Sequence, residues 1–475
     1  MKENDVRLLI PENLDIDKII DKNRDLYFQK FNKYKALVIV DSIIKARIVQ
    51  RKKMDTQFAN VSSKKLKALV QDYRMYLTFL LEAGIVSTDN RFIEGKKSKG
   101  YCINSPYSGE KLITIPLTDY KLRKAIKRVR AISEKERKKS LWGYGYLTKW
   151  WDTEKLVIDV DGALLFIKED LSQKIDRINR DSEIKDKKAR IAQAKDTAED
   201  FRYLVHTLKG KTYIGFSGDG KRFYNPVTNL KRGLRRFLTY DGQTLVEIDV
   251  KNCQPFLSIA LFDEDFWKPY DKVFGEKLNL ERMDKGLYDK IFNLGIVNDI
   301  ITFLNSSKTH ASKGFQIKKY TEYAIGEDFY KSMQECFVLE CPKEFKDRDS
   351  TKLEMMKILY MDNHTQQFPK PSIAFKNKFP EVFGLFRIIR SVKEHENLLA
   401  IILQRIESYL VIEKTCKRLS IEYPGIPLFT IHDSILTAEG NEYTVDNILR
   451  EEIKKYIGYQ PRTRLKPLYR QNHAA

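Results

Sequence analysis

The sequence predicts an α+β protein of more than one domain, on three observations. Apolar residues recur at helical spacing over long stretches, as in Leu66, Leu69, Val70, Tyr73, Tyr76, Leu77 and Leu80. Short β-branched runs, TLVEIDV and PLFTIHDSILTA, read as strands of a small antiparallel sheet. At 475 residues and 42% hydrophobic, the chain can bury a substantial core and is long enough for two to four domains.

Near the N-terminus, VSSKKLKALVQDYRMYLTFLLEAGIV reads as a helix, with Ser62 or Ser63 as its N-cap and Gly84 as its C-cap. DNRFIEGKKSKGYCIN follows, two short strand-like runs around a Gly/Lys tip. Helix, short connection and basic hairpin is the order of a winged helix, whose helix enters a major groove while its wing touches phosphate. The alternative is an ordinary α/β connection with a solvated basic loop. KLRKAIKRVRAISEKERKK, within 113–139, predicts a cationic helix, and 169–208 a charged helical arm or long hairpin. Between them KLVIDVDGALLFI is strand-like, and its Asp159 and Asp161 read as turn or capping acids rather than metal ligands. From Gly218 turn signals, a short basic helix (LKRGLRRFL) and the strand TLVEIDV follow in quick succession.

Lys and Arg outnumber Asp and Glu by 86 to 65, a net charge of +21 on a chain with 25 Tyr and 26 Phe. Excess cation favours polyanions and aromatic rings stack on bases, so nucleic acid is the expected partner. Five cysteines, odd in number and without CxxC spacing, argue against both a disulfide framework and a zinc knuckle. MKENDVRLLIPENLD lacks the apolar core of a signal peptide, and no stretch is long and apolar enough to span a membrane, so a cytoplasmic protein is expected.

The chemistry gathers in the second half. Asp249 ends the strand of LVEIDVKNC, and Asp433 sits at the apparent turn of the hairpin FTIHDSIL. A carboxylate between buried neighbours is costly unless compensated. Two strands presenting one carboxylate each can bring them about 5 Å apart, where divalent cations turn repulsion into attraction. DRDSTKLEMMKILYMD is helical and spaces Arg348, Lys352, Met356 and Tyr360 four residues apart. Each step drifts by about 40°, so they form one slowly turning stripe of two cations, a soft apolar residue and an aromatic ring. Such a stripe suits a triphosphate, a sugar and a base in that order; it is also what an ordinary amphipathic helix shows on its wet side.

In this order the elements resemble the polymerase superfamily of DNA polymerase I and the single-subunit phage and mitochondrial RNA polymerases. Asp249 resembles the motif A aspartate, Arg348, Lys352 and Tyr360 resemble motif B, and His432-Asp433 resembles motif C. YNPVTNLKRGLRRF, with Asn229, Leu230 and Arg235, is similar to the segment entering the palm. The likeness covers roughly 218–467. It implies a right-hand palm with a small antiparallel sheet, helical fingers and a thumb-like arm, behind the winged-helix-like domain. The implied organisation is 1–112 for DNA binding, 113–215 as a basic helical arm or linker, and 216–475 as palm and fingers.

By the same resemblance Asp249, Asp433 and the Val250 carbonyl hold two magnesium or manganese ions. Arg348 and Lys352 grip a nucleoside triphosphate, and Lys352 protonates the leaving pyrophosphate. Tyr360 packs near the nascent base pair, Met356 contacts the nucleotide, His432 touches the primer end, Gln404 reaches the minor groove, and Asn229 and Arg235 bind primer or template. Departures bear on the product. Gln254 stands where the DNA polymerases carry the Glu that blocks a ribose 2′-OH, Met356 replaces an aromatic residue, and Ser434 follows motif C in place of Glu. Met361 follows Tyr360 in place of Gly. The bulk of Gln254 leans toward DNA. No DxE-type exonuclease core precedes the palm. Cys336, Cys341, His206, His310, His364 and His395 carry no motif. The expected activity is template-directed addition of nucleotides to a 3′-OH, suited to a phage or mobile element. The alternatives are a single-subunit RNA polymerase or primase, and an inactive DNA-binding replication or defence factor.

Overall fold

A computed structural model describes residues 6–23, 31–50, 57–94, 97–151, 154–208, 214–217, 220–272, 275–308, 311–361, 368–391 and 397–468. The fold is α+β with small antiparallel sheets. It groups into two compact units, residues 1–142, 157–212 and 229–237 in the first and 143–156, 213–228 and 238–475 in the second. This division differs from the expected boundaries at 112 and 215.

In the first unit β1 (Arg7–Pro11) pairs antiparallel with β5 (Leu112–Pro116), Arg7 opposite Pro116 and Pro11 opposite Leu112. That pairing is why no domain ends at residue 112. After α1 (Ile16–Lys22), the helix α2 (Lys33–Gln50) carries an unbroken buried run from Ala36 to Ile44, the pattern of a helix enclosed on all sides. Strand β2 (Ala59–Asn60) leads into α3 (Ser63–Leu69) and α4 (Tyr73–Glu82), then β3 (Val86–Thr88) and β4 (Gly100–Ile103). The three strands form one sheet in the order β2-β4-β3, with Val86 opposite Ile103.

The single helix expected from Ser62 to Gly84 is two. Val70 turns extended (φ −134°, ψ 102°) to bury its side chain, and Asp72 starts the next helix. Ser62 precedes α3 without a side-chain cap bond, while Gly84 ends α4 at φ +68°, where only glycine sits without strain.

Asp119 caps α5 (Tyr120–Ser140) by accepting from the Leu122 N–H at 2.9 Å. Leu122 and Ile126 join the unit's core. The expected charged arm is a helical hairpin, Val160–Arg180 packed on Lys187–Thr207. Of KLVIDVDGALLFI only Leu156–Ile158 is strand; from Val160 it is helix, because Asp159 accepts from the Gly162 N–H and Ala163 and Ile167 bury one face. Asp161 lies in that helix's first turn.

Arg47 on α2 grips the second arm of this hairpin, 2.7 Å from both Asp196 and Asp200. All three side chains are largely buried, Asp200 at 2% exposure. Removing the cation strands buried carboxylates, so Arg47→Ala is expected to cost about 3–5 kcal/mol in urea denaturation, while Lys18→Ala at an exposed pair is expected to leave the midpoint nearly unchanged.

The second unit is centred on the strand Gln243–Val250. Ser434–Ala438 lies along one edge and Thr463–Pro467 along the other, both antiparallel. Phe429–Ile431 completes a hairpin outside Ser434–Ala438, and the helix Glu442–Ile457 packs against the central strand. A second layer is helical and aromatic: Tyr320, fully buried, meets Phe329, Phe375, Phe379 and Phe386 edge-on, and its hydroxyl lies 3.0 Å from that of Ser258. Among the described residues no helix is long and apolar enough to cross a membrane. All five cysteines are free.

Candidate active site

Side chains alternate along a strand, so Leu245, Glu247 and Asp249 share one face of Gln243–Val250 and Val246, Ile248 and Val250 the other. The register sets Asp249 directly opposite Ser434 and Ile431 opposite Ser434 on the far side. His432 and Asp433 are therefore the whole turn of the hairpin. His432 takes a left-handed backbone, φ +55°, and its ring meets Tyr224 edge-on at 5.7 Å. The buried Asn225 donates to the Thr430 carbonyl at 2.7 Å, tying the 220–228 segment to the hairpin.

These constraints bring Asp433 beside Asp249. Its carboxyl is pushed up to about 7, first by burial and then by the charges of Glu407 and Asp249, with Arg222 pulling the other way. Glu407 was not read from the sequence. It stands on the helix Leu398–Ser408 at a buried position, where Arg222 forks onto both its oxygens at 3.0 and 2.8 Å. Burial raises its carboxyl above the usual range even so. Gln254 donates to Glu407 at 2.6 Å, and the Tyr360 hydroxyl donates to Gln254 at 2.8 Å. Arg222, Glu407, Gln254 and Tyr360 thus form one hydrogen-bonded chain next to the carboxylate pair. Gln404 stands three residues before Glu407, and Gly220 packs on it so closely that a Cβ there would lie 2.6 Å from the Gln404 Cβ.

Asp349 aside, the helix Arg348–Tyr360 presents its expected stripe. Thr351, Met355, Ile358 and Leu359 face inward, while Arg348, Lys352 and Tyr360 are exposed and Met356 half-buried. Asp347 caps the helix by accepting from the Ser350 N–H at 2.8 Å. The Arg348 guanidinium and Lys352 ammonium lie over the Tyr330 ring, 5.5 and 5.7 Å from its centre. Arg348 is also paired with Asp328 at 2.5 Å.

Two predicted residues are grouped with the first unit. Asn229 and Arg235 fall in the first unit, Arg235 nearly buried in the turn of helix Arg232–Phe237. His206 is exposed at the end of the hairpin's second helix, and His310, His364 and His395 lie outside the described residues. Besides Glu407 and Arg222, Lys466 was unforeseen; it lies across from Glu247 and forms an ion pair with Asp249.

The groups within electrostatic reach of one another here are hard oxygens, the carboxylates of Asp433, Glu407 and Asp249. Among the described residues no three His, Cys, Asp or Glu side chains make a ready metal cluster. No protein-family model and no curated protein matches the chain.

The raised Asp433 carboxyl has a signed consequence for stability. Between the ordinary 3.8 and about 7 the folded protein holds a proton that the unfolded chain has released, so stability falls as pH rises through this window. Asp433→Asn is expected to raise Tm at pH 8, with the gain shrinking toward pH 4, in melts followed by circular dichroism.

Proposed function

We propose that the second unit is a template-directed nucleotidyltransferase that extends a 3′-OH, with deoxynucleotides as its preferred substrates. One observation carries this: Asp249 at a strand end and Asp433 in a hairpin turn far away in sequence come within electrostatic reach of each other, beside a Gln254 held by Glu407 and by Tyr360 of the helix Arg348–Tyr360. Burial, and then repulsion from Glu407 and Asp249, raises the Asp433 carboxyl, and a bound divalent cation would relieve it. Magnesium or manganese held by Asp249, Asp433 and the Val250 carbonyl would supply activation of the attacking hydroxyl and charge for the leaving pyrophosphate.

The chain's own groups position the rest. Lys352 and Arg348 hold the triphosphate, Arg348 exchanging Asp328 for phosphate, and Lys352 gives its proton to the leaving group. Gln254, clamped between Glu407 and Tyr360, forms a rigid wall against the sugar, which favours substrates lacking a 2′-OH. Tyr360 and Met356 flank the base pair, His432 the primer end, and Gln404 the minor groove. For the first unit, helix, strand, two helices and a hairpin with the sheet order β2-β4-β3 support the winged-helix reading.

A different reading, an inactive DNA-binding factor, draws support from Lys466 on Asp249 and Asp328 on Arg348, two pairs that neutralise the site from within.

The test offers the protein a primer-template, an unprimed template and single strands, with magnesium and either dNTPs or rNTPs. Extension of the primer with dNTPs is expected, lost at least 10³-fold in Asp249→Asn and Asp433→Asn, with DNA affinity changed less than about threefold. Ribonucleotide use on unprimed template points to an RNA polymerase or primase, and no incorporation in any arm supports the inactive factor. Gln254→Ala is expected to raise rNTP incorporation relative to dNTP by 10-fold or more. Lys466 competes with metal for Asp249, so Lys466→Met is expected to bind Mn²⁺ several-fold more tightly in calorimetry, and unchanged or weaker binding counts against that competition.

A further inference from the structure

The strongest concentration of charge lies outside the site just described. Helix α5 carries ten Lys and Arg against two acids, Glu134 and Glu136, and eight of the ten cations are exposed. At 100° per residue, Lys121, Lys124, Arg128, Lys135 and Lys139 fall within an arc of about 60°, on the side away from the buried Leu122 and Ile126. With a rise of 1.5 Å per residue the stripe is about 27 Å long, close to one 34 Å turn of duplex. Beyond Val129 no residue of α5 is buried, so the second half stands clear of the unit's core. The neighbouring α3, packed against α5, adds exposed Lys64, Lys65 and Lys67.

We propose that α5 docks along the phosphate backbone of double-stranded nucleic acid, without reading its sequence. Lysines dominate the stripe, and as point charges they hold phosphate without the paired hydrogen bonds that identify a base. The duplex is preferred over a single strand because the stripe itself has no stacking ring. Tyr120 and Trp142, exposed at 69% and 87%, stand at opposite ends of the helix, about 33 Å apart, too far to stack neighbouring bases. An anionic membrane surface is disfavoured too. An interfacial helix must sink an apolar face, but here that face is already in the core and leaves Ile132 as the one large aliphatic residue exposed on α5. Nor is α4, the helix before the hairpin, an alternative phosphate surface: its exposed residues are Arg74, Thr78 and Glu82. The docking is independent of the chemistry proposed for the second unit and stands even if no nucleotide is incorporated.

The experiment measures binding of the full chain to a 30-base-pair duplex of random sequence by fluorescence anisotropy, between 50 and 200 mM KCl. A variant changing Lys121, Lys124, Arg128, Lys135 and Lys139 to Gln is compared with a charge-matched control changing Lys168, Arg177, Arg180, Lys185 and Lys188 to Gln. Each lost phosphate contact lowers the log-log salt slope by about 0.9, so the α5 variant is expected to lose about 4 units of slope and more than 10-fold in affinity at 100 mM. The control is expected to lose less than one unit. Melting curves within 3 °C of wild type would attribute the loss to contacts rather than unfolding. Equal losses in both variants, an unchanged slope, tighter binding to a single strand of the same length, or α5-dependent binding to phosphatidylserine vesicles in place of duplex would each overturn the proposal.

Discussion

The pairing register between Gln243–Val250 and Ser434–Ala438 governs most of what the second unit can do. Asp249 faces Ser434, so the hairpin turn ends beside the end of the central strand and Asp433 comes within electrostatic reach of Asp249. A slip of one residue would turn Asp249 to the opposite face and bring Val250 to the site. The register is pinned by burial on both faces, since Leu245, Val246, Ile248 and Val250 must remain covered. It is pinned again by Asn225, whose bond to the Thr430 carbonyl fixes the outer hairpin strand.

Around that register the structure balances charge by hydrogen bonds rather than by solvent. Glu407 is tolerable inside the unit because Arg222 meets both its oxygens and Gln254 takes a further bond. The same bonds fix Gln254 and, through it, the Tyr360 hydroxyl. A network of this kind holds its members in one arrangement, because loosening any of them exposes another buried polar group. Lys466 does for Asp249 what Arg222 does for Glu407, from the neighbouring strand. Asp433 is buried and faces the charges of Glu407 and Asp249, and its carboxyl is raised to about 7.

Much of the local structure was legible because it follows from spacing. The stripe on Arg348–Tyr360 has its apolar face inward, the charged arm is a helical hairpin, and Asp159 is a cap. Where the reading failed, long-range packing outweighed a local pattern. Val70 breaks a helical run in order to bury itself, and DGALLFI, apolar enough for a strand, is helical behind a capping Asp. Residue 112 ends no domain because β5 is claimed by β1. Glu407 left a faint trace, an acid in phase with the apolar face of LLAIILQRIESYL, whereas Arg222 and Lys466 left none, since their partners lie 185 and 217 residues away.

The sequence by itself determined the α+β class, the basic character, and the carboxylates, cations and aromatic ring of the candidate site, because periodicity and residue chemistry are local properties. Only the tertiary structure decided which of these meet. Asp249 and Asp433 adjoin through strand register, Gln254 is locked by a glutamate 153 residues away, and Asn229 and Arg235 belong to the other unit. Contacts between distant segments depend on how buried faces are shared out across the whole fold, and a linear pattern carries no record of that.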